Sequence, residues 1–197
     1  MSNKIPKSKI QKIKITEPVT EEDFKRASKL VEKNIVADAN LGVQYLQKLS
    51  VGEILLAKDD EKVIGMIAQK RPGNIFKEIP DENFDLKSYK LDKKEVGFII
   101  LVAVDPKYQG KGIGKSLVAK ALRYQKDFGA KAIGVHAWQN SHGNGSQKLF
   151  ESFGFSALKM HKSPWLAYSK AAGPKGYWCP VCGNPCKCNE LEMVKYL

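Results

Sequence analysis

The sequence is organised around three consecutive segments, VGFIILVAV at 96–104, DPKYQGK at 105–111 and GIGKSLVAKALRYQKDF at 112–128. The first segment is an almost uninterrupted apolar run rich in β-branched residues, which is typical of a strand buried on both faces of a sheet. The third segment carries apolar residues at helical spacing and is followed by Gly129, a residue type that commonly ends helices. A strand, a glycine-rich turn and a helix are therefore predicted as the central unit of a mixed α/β fold.

Strands and helices are also predicted on both sides of this unit. The predicted strands lie at 10–16, 53–57, 63–68 and 132–138, and the predicted helices begin at Thr20, near Val43 and at Ser146. Two more strands are expected at 155–159 and 164–169, as a final antiparallel pair. The polar segment 71–94 is unusually long for a loop. Two interpretations of it stay open: a disordered insertion, or a border of the acceptor groove whose acidic residues attract an amine.

Composition limits the class of protein. A chain of 197 residues with 43% apolar residues is long enough for one well-packed domain. We expect a basic tail at 1–9, a main domain at 10–172 and a small tail at 173–197. No apolar run approaches the roughly 20 residues that cross a bilayer, and the first residues lack the apolar core of a signal peptide. A cytoplasmic protein without a membrane partner is therefore expected, as a monomer or homodimer.

The net charge of +12 arises from 33 basic and 21 acidic residues. Only three of the basic residues, Arg26, Arg71 and Arg123, are arginine, which recognises phosphates and bases through paired hydrogen bonds. The lysine-rich surface favours anionic partners in general. Nucleic acid is therefore an alternative partner and not the favoured one.

The turn between the buried strand and the helix has the character of a phosphate site. Glycines at 110, 112 and 114 let backbone N–H groups approach a bulky anion, and the helix that follows presents its positive N-terminal end to that anion. The spacing excludes the dinucleotide fingerprint, and a Walker loop would need glycine where Gln109 stands. The spacing that does occur is Gln-x-x-Gly-x-Gly, beginning at Gln109, and a diphosphate fits it.

This turn resembles that of the GNAT superfamily of acyl-CoA-dependent N-acetyltransferases. A second signature of that superfamily, a short helix ending in Leu-Tyr-Glu-x-x-Gly-Phe, is matched by Leu-Phe-Glu-Ser-Phe-Gly-Phe at 149–155. The resemblance extends over roughly residues 10–170. It implies the GNAT fold and an enzyme that binds acetyl-CoA as cosubstrate. The implied cofactor contacts are Leu101, Val102, Ala103 and Val104 for pantetheine, Gln109, Gly110, Lys111, Gly112, Ile113, Gly114 and Lys115 for pyrophosphate, and in addition Phe150. The asparagine that family members often carry before the final helix is displaced, since Gly143 stands at the matching spacing, and Asn144 or Asn140 would replace it.

The acceptor amine must lose a proton before it attacks, because an amine with a pKa of about 10.4 is almost fully protonated at neutral pH. Glu95 at the start of the central strand is the first candidate base, His136 the second and His142 the third. Some family members carry a glutamate on this strand, at the position that Phe98 occupies here. A tyrosine often protonates the departing thiolate, but that position is Phe150. Tyr124, Tyr108 or water would replace it, or the thiolate leaves unaided.

All four cysteines lie within ten residues of one another near the C-terminus. Cys179 and Cys182 belong to a Cys-Pro-x-Cys-Gly turn, which points two thiolates at one metal, and Cys186 and Cys188 can complete a tetrahedral zinc site. The metal is expected to be structural, because the tail has few apolar residues of its own. Iron and disulfide bonds remain as alternatives.

Two functions from different classes follow. The first is an N-acetyltransferase that transfers acetyl from acetyl-CoA to a protein lysine, a protein N-terminus or a small amine, by direct attack in a ternary complex. The second is a basic module that binds nucleic acid or the ribosome, holds a structural zinc ion and has no transferase activity.

Overall fold

A computed structural model of the protein describes residues 13–38, 41–79, 81–139 and 144–197. The expected basic tail at 1–9, the first residues of the strand expected at 10–16, and His142 lie outside the described residues. In chain order the elements are β1 (Lys14–Thr16), α1 (Glu21–Asn34), β2 (Ala37–Asp38), α2 (Val43–Gln47), β3 (Ile54–Asp59), β4 (Lys62–Lys70), α3 (Leu86–Tyr89), β5 (Val96–Val104), α4 (Ile113–Asp127), β6 (Ala132–Gln139), α5 (Gly145–Glu151), β7 (Ser156–His161), α6 (Leu166–Gly176), β8 (Tyr177–Trp178) and β9 (Asn189–Tyr196).

Seven of these strands form one mixed sheet in the order β1-β3-β4-β5-β6-β9-β7. Strands β5 and β6 run parallel, and the other neighbours are antiparallel. The predicted mixed α/β fold is confirmed, with the apolar run 96–104 in the middle of the sheet. The strands expected at 53–57 and 63–68 correspond to β3 and β4, which pair antiparallel.

Helices cover both faces of the sheet. On one face, α4 places Leu117, Val118 and Ala121 in the same buried cluster as Ile99 and Ile133 of the central strands. On the opposite face, α1 contributes Ala27, Leu30 and Val31 to a second cluster. Among the described residues, no helix is both long enough and apolar enough to cross a membrane.

Strand β5 is irregular on both of its edges. Strand β5 pairs with β6 only along 96–99, opposite 132–135, so the two strands separate beyond that point. On its other side, Ala68 of β4 pairs with Leu101 whereas Gln69 pairs with Ile99. Ile100 is therefore an extra residue in β5, and such a bulge bends the strand that carries it.

The C-terminal part differs from the sequence-based expectation. Residues 164–169 do not form a strand, because α6 begins at Leu166, and the partner of β7 is β9. Strand β9 lies inside the sheet, between β6 and β7. The segment expected as a separate tail at 173–197 thus consists of the end of α6, a loop that holds the four cysteines, and a strand of the main sheet. Glutamates at 190 and 192 gave β9 a polar sequence that does not resemble an interior strand.

The polar segment 71–94 is folded along most of its length in the structure. It contains short 3-10 turns at Ile75–Lys77 and Asp81–Asn83 and the helix α3. Ile75, Phe84 and Tyr89 are buried, and they anchor the segment against the sheet. The interpretation as a disordered insertion is therefore wrong for the residues that the structure describes.

Candidate active site

The glycine turn, residues 109–115, forms an anion site at the start of α4. Gly110 and Gly112 have φ angles of 74° and 82°, in the left-handed region that favours glycine. The first helical hydrogen bond runs from the N–H of Ser116 to the carbonyl of Gly112, so the three preceding N–H groups have no acceptor within the helix. The first turn of α4 contains no acidic residue. The helix N-terminus is therefore free to face a negatively charged group.

A cleft of about 1290 Å³ begins at the glycine turn and follows the separated part of β5. Most of the predicted cofactor residues line it: Leu101, Val102, Ala103, Val104, Gln109, Gly110, Gly112, Ile113, Gly114, Lys115 and Phe150. Two predicted cofactor residues are not in its wall. Lys111 lies with Nζ 5.0 Å from the centre of the Tyr108 ring, and Asn144 occupies the N-cap position of α5.

The structure separates the three predicted catalytic residues. Glu95 precedes β5 at the opposite end from the glycine turn, and its carboxylate pairs with Lys131 Nζ at 2.5 Å. Tyr124 lies eleven residues into α4, about 16 Å along the helix from its N-terminus, and its hydroxyl donates to Glu17 Oε1 at 3.0 Å. Neither lines the cleft, whereas His136 does.

Sequence reasoning missed Glu190, which lies in the cleft wall beside His136. Glu190 Oε2 is 3.3 Å from His136 Nδ1, and Glu190 Oε1 accepts a hydrogen bond from Trp165 Nε1 at 2.7 Å. The Glu190 side chain is 12% exposed. No sequence signal pointed to it, because its neighbours in space come from β6 and α6.

The far end of the cleft is lined by aromatic and acidic side chains. Tyr168 donates to Asp38 Oδ1 at 2.9 Å, and Tyr45 donates to Glu78 Oε2 at 3.3 Å. All four residues line the cleft together with Trp165. Burial and the nearby Glu78 carboxylate raise the pKa of Tyr45, which keeps its hydroxyl protonated. The segment 71–94 thus borders the cleft through Glu78.

The β2 and β8 strands join the two sides of this end of the cleft. Ala37 pairs with Trp178 and Asp38 with Tyr177. The pairing connects the end of α1 with the residue that precedes the cysteine loop. Because the loop starts directly after β8, this short pair of strands holds the start of the loop at the wall of the cleft.

The cysteine loop, residues 179–188, brings its four thiols together. The Sγ atoms of Cys182 and Cys188 are 3.6 Å apart, those of Cys182 and Cys186 3.7 Å, and those of Cys179 and Cys188 3.8 Å. Four sulfurs placed about 2.3 Å from a tetrahedral zinc ion are separated by about 3.8 Å. All four thiols are free in the structure, as binding of a metal requires.

The cysteine loop has the properties of a metal site and also contributes to the wall of the cleft. Burial raises the pKa of the Cys186 thiol to about 11, so a cation at the centre would be needed to hold it as a thiolate at neutral pH. Cys179 and Cys186 line the far end of the cleft. The donor set therefore fits a metal ion, and the loop that would carry the metal is part of the cleft wall.

Comparison with known proteins gives the family. A model of the acetyltransferase (GNAT) family matches residues 22–155. An uncharacterised N-acetyltransferase of Methanocaldococcus jannaschii is 32% identical over 80 residues, which are 41% of this chain and 34% of that protein. Mycothiol acetyltransferase of Nocardiopsis dassonvillei is 35% identical over 65 residues, 33% of this chain and 19% of that protein. The matches thus span about a third or less of these curated relatives.

A solved structure shows the same fold. NAA60 of Arabidopsis thaliana, in complex with acetyl-CoA, has a TM-score of 0.64 and 17% sequence identity, and the match covers 94% of this chain and 99% of that one. The family model covers well over half of the chain and includes the glycine turn and the second signature. The chain belongs to the acetyltransferase (GNAT) family.

Proposed function

We propose that this protein transfers the acetyl group of acetyl-CoA to an amine, by direct attack of the amine on the thioester while both substrates are bound. The observation that carries the proposal is the continuity of the cleft, which runs from the glycine turn to the side chains around Glu190. Two substrates that enter from opposite ends would meet where β5 and β6 separate.

The donor would be held by main-chain groups. Its diphosphate would accept hydrogen bonds from the unpaired N–H groups at the start of α4, with Lys115 as a nearby positive charge. Along 101–104, strand β5 pairs with β4 on one edge and has no strand partner on the other edge among the described residues. Its other edge is free to bond the amide groups of the pantetheine arm, and an N–H group of the same edge would stabilise the oxyanion of the tetrahedral intermediate.

The proton of the amine would pass to the pair formed by Glu190 and His136. The pair first takes one proton from the ammonium group and passes it to solvent, which leaves a neutral amine. The amine nitrogen then attacks the thioester carbonyl carbon, the carbon–sulfur bond breaks as the thiolate leaves, and the second proton passes from the nitrogen to the pair. Phe150 has no hydroxyl, and the hydroxyl of Tyr108 is bonded to Asp59 Oδ2 at 3.1 Å. The leaving group therefore departs as a thiolate, which a thiol pKa of about 8.5 permits.

The acceptor is a cationic amine, since the carboxylates of Asp38 and Glu190 line the far end of the cleft. The carboxylate of Glu78 lines it too but is already paired with Lys70 Nζ at 2.6 Å. Asp38 and Glu190 would attract a protonated amine before its deprotonation. A protein N-terminus, a lysine side chain and a small amine all meet this requirement.

The cysteine loop would hold one structural zinc ion through Cys179, Cys182, Cys186 and Cys188. The sulfur–sulfur distances of 3.6–3.8 Å support this assignment. The metal would stabilise the loop, and thereby the far wall of the cleft, without taking part in the transfer.

Acetyl-CoA titration and a panel of amines test the proposal. Calorimetry should show binding of one acetyl-CoA per chain. Mass spectrometry should then find acetylated product from at least one class among peptides with free N-termini, lysine peptides with blocked N-termini, and small diamines. Absence of acetyl-CoA binding, combined with RNA binding that weakens steeply with salt, would contradict the transferase and support the binding module.

A further inference from the structure

We propose that the protein has a second metal site, separate from the cysteine loop, formed by His136, His161 and Glu192. These three residues, called here the histidine cluster, come from three adjacent strands. His136 of β6 lies directly opposite Glu192 of β9, and His161 of β7 lies opposite Glu190 of the same strand. Because side chains two residues apart on a strand point to the same face, all four side chains share one face of the sheet.

The ligand atoms are close enough to share one ion. One ring nitrogen of each histidine and one carboxylate oxygen of Glu192 lie within 4.8 Å of one another. His161 Nε2 and Glu192 Oε2 are already 2.8 Å apart. Two imidazoles and a carboxylate suit zinc and the neighbouring transition metals.

The second nitrogen of His136 provides an independent reason for a cation. Its Nδ1 lies 3.3 Å from Glu190 Oε2, while its Nε2 is buried and has no hydrogen-bond partner among the described residues. If Nδ1 carries the proton, Nε2 presents a lone pair that is unpaired, and a buried unpaired acceptor is costly. Histidine ligands in proteins usually donate their other N–H to a carboxylate. His136 already has this arrangement with Glu190.

Charge balance favours the same conclusion. The Glu192 side chain is fully buried and that of Glu190 is 12% exposed. Within the described part of the chain, the side chains that form ion pairs with these carboxylates are the two histidines. Glu192 also accepts from the backbone N–H of Asp85 at 2.9 and 3.1 Å, and Glu190 accepts from Trp165. A divalent cation with two neutral histidines would neutralise both carboxylates, and buried charges need such compensation.

The histidine cluster lies behind the wall of the cleft. His136 and Glu190 line the cleft, whereas His161 and Glu192 do not. The metal would hold His136 through Nε2, so that its Nδ1–H remains directed at Glu190. Glu190 would then be the proton acceptor within the pair, and His136 the residue that positions it. The site itself does not depend on the transferase assignment, because it is argued from ligand geometry and charge alone.

Metal analysis of the whole protein, loaded with Zn²⁺ or Co²⁺, tests the site. X-ray absorption should show nitrogen or oxygen neighbours at about 2.0–2.1 Å in addition to any sulfur at about 2.3 Å. His161→Ala should abolish the nitrogen and oxygen component and keep the sulfur component. Cys182→Ser should abolish the sulfur component and keep the nitrogen and oxygen component. Lys159 is exposed and lies on the same strand as His161, so Lys159→Ala should change neither component.

A second measurement uses the wild-type protein, so its result does not depend on whether a variant folds. An anomalous difference map from wild-type crystals, recorded at the zinc edge, should show a peak among His136, His161 and Glu192. Glu190→Gln should weaken cobalt binding at that site by about 10- to 100-fold, as expected for a residue that supports a ligand. A map with density only at the cysteine loop, or a wild-type spectrum with sulfur neighbours alone, would overturn the site. Neither result depends on whether acetyl transfer is observed.

Discussion

The indole N–H of Trp165 donates a hydrogen bond to Glu190 Oε1 at 2.7 Å, which connects the start of α6 with the first residues of β9. The same carboxylate reaches His136 on β6 through its other oxygen. Three elements that are distant in sequence therefore hold one acidic side chain in the cleft wall. This arrangement makes Glu190 the most informative residue to change.

Glu190→Gln should lower kcat by about a hundredfold or more, because the neutral amide cannot take the proton of the amine. The KM for acetyl-CoA should stay near the wild-type value, since the glycine turn is unaltered. Glu95→Gln is the matched control, because its carboxylate pairs with Lys131 outside the cleft. Steady-state kinetics on both variants check this prediction. Equal losses in the two variants, or a full loss in Glu95→Gln alone, would contradict it.

Gly112→Ala should weaken acetyl-CoA binding by at least tenfold, whereas Gly129→Ala should not. The two glycines have φ angles of 82° and 80° and open space around an added Cβ, but only Gly112 lines the cleft. Alanine at either position imposes a similar backbone strain of about 1–2 kcal/mol. Calorimetric titration separates binding from stability, which thermal melting measures in parallel. Similar Kd values for the two variants would argue against the glycine turn as the diphosphate site.

Tyr124→Phe should leave kcat within about twofold of wild type. Its hydroxyl bonds Glu17 and lies far along α4 from the turn, so removal costs one partly exposed hydrogen bond, worth about 1 kcal/mol of unfolding free energy. Kinetics together with urea unfolding test this expectation. A tenfold fall in kcat at unchanged stability would restore Tyr124 as a catalytic residue.

Asp23→Asn should destabilise the fold at neutral pH by about 1.5–3 kcal/mol, the range for hydrogen bonds to a charged group. Burial alone would raise the pKa of Asp23, but Lys58 Nζ at 2.6 Å and the N–H groups of Val19 and Thr20 outweigh it. The net pKa is lowered below its ordinary value of 3.8. Because the folded pKa is the lower one, the stabilisation is complete above the unfolded pKa and is lost as pH falls through the folded pKa.

Denaturant titrations at neutral pH and below pH 3.8 measure this effect. The difference between wild type and Asp23→Asn should shrink at the lower pH. Glu21→Gln removes the partner of an exposed ion pair with Lys25 and should have little effect at either pH. A difference between wild type and Asp23→Asn that does not change with pH would show that the carboxylate charge is not the cause.

Strong chelators should lower the melting temperature and reduce affinity for the amine more than for acetyl-CoA. The cysteine loop forms the wall at the far end of the cleft, away from the glycine turn. Readdition of Zn²⁺ should restore both properties, and Mg²⁺, which prefers oxygen ligands, should not. Unchanged melting after the metal content has fallen to zero would show that neither the cysteine loop nor the histidine cluster needs a metal for stability.

Local patterns in the sequence predicted the centre of this molecule well. The strand at 96–104, the glycine turn and helix α4 follow from apolar periodicity, helix-ending glycine and backbone freedom at Gly110 and Gly112. Each of these signals acts over a few neighbouring residues, and each is visible without knowledge of the rest of the chain. The cysteine spacing likewise predicted a cluster of thiols, which the structure contains.

Only the tertiary structure decided which side chains share the cleft wall. Glu190 has no local signal, since its role depends on β9 lying between β6 and β7, a long-range pairing. The same pairing places Glu192 against His136 and His161. Glu95 and Tyr124 lie outside the cleft because Glu95 precedes β5 at the end away from the glycine turn and Tyr124 lies far along α4. Sequence periodicity indicates whether a residue faces a core, because the pattern of apolar residues within one strand or helix shows which of its sides is buried. It does not report which other strand supplies the neighbour, because that depends on the order of strands in the sheet.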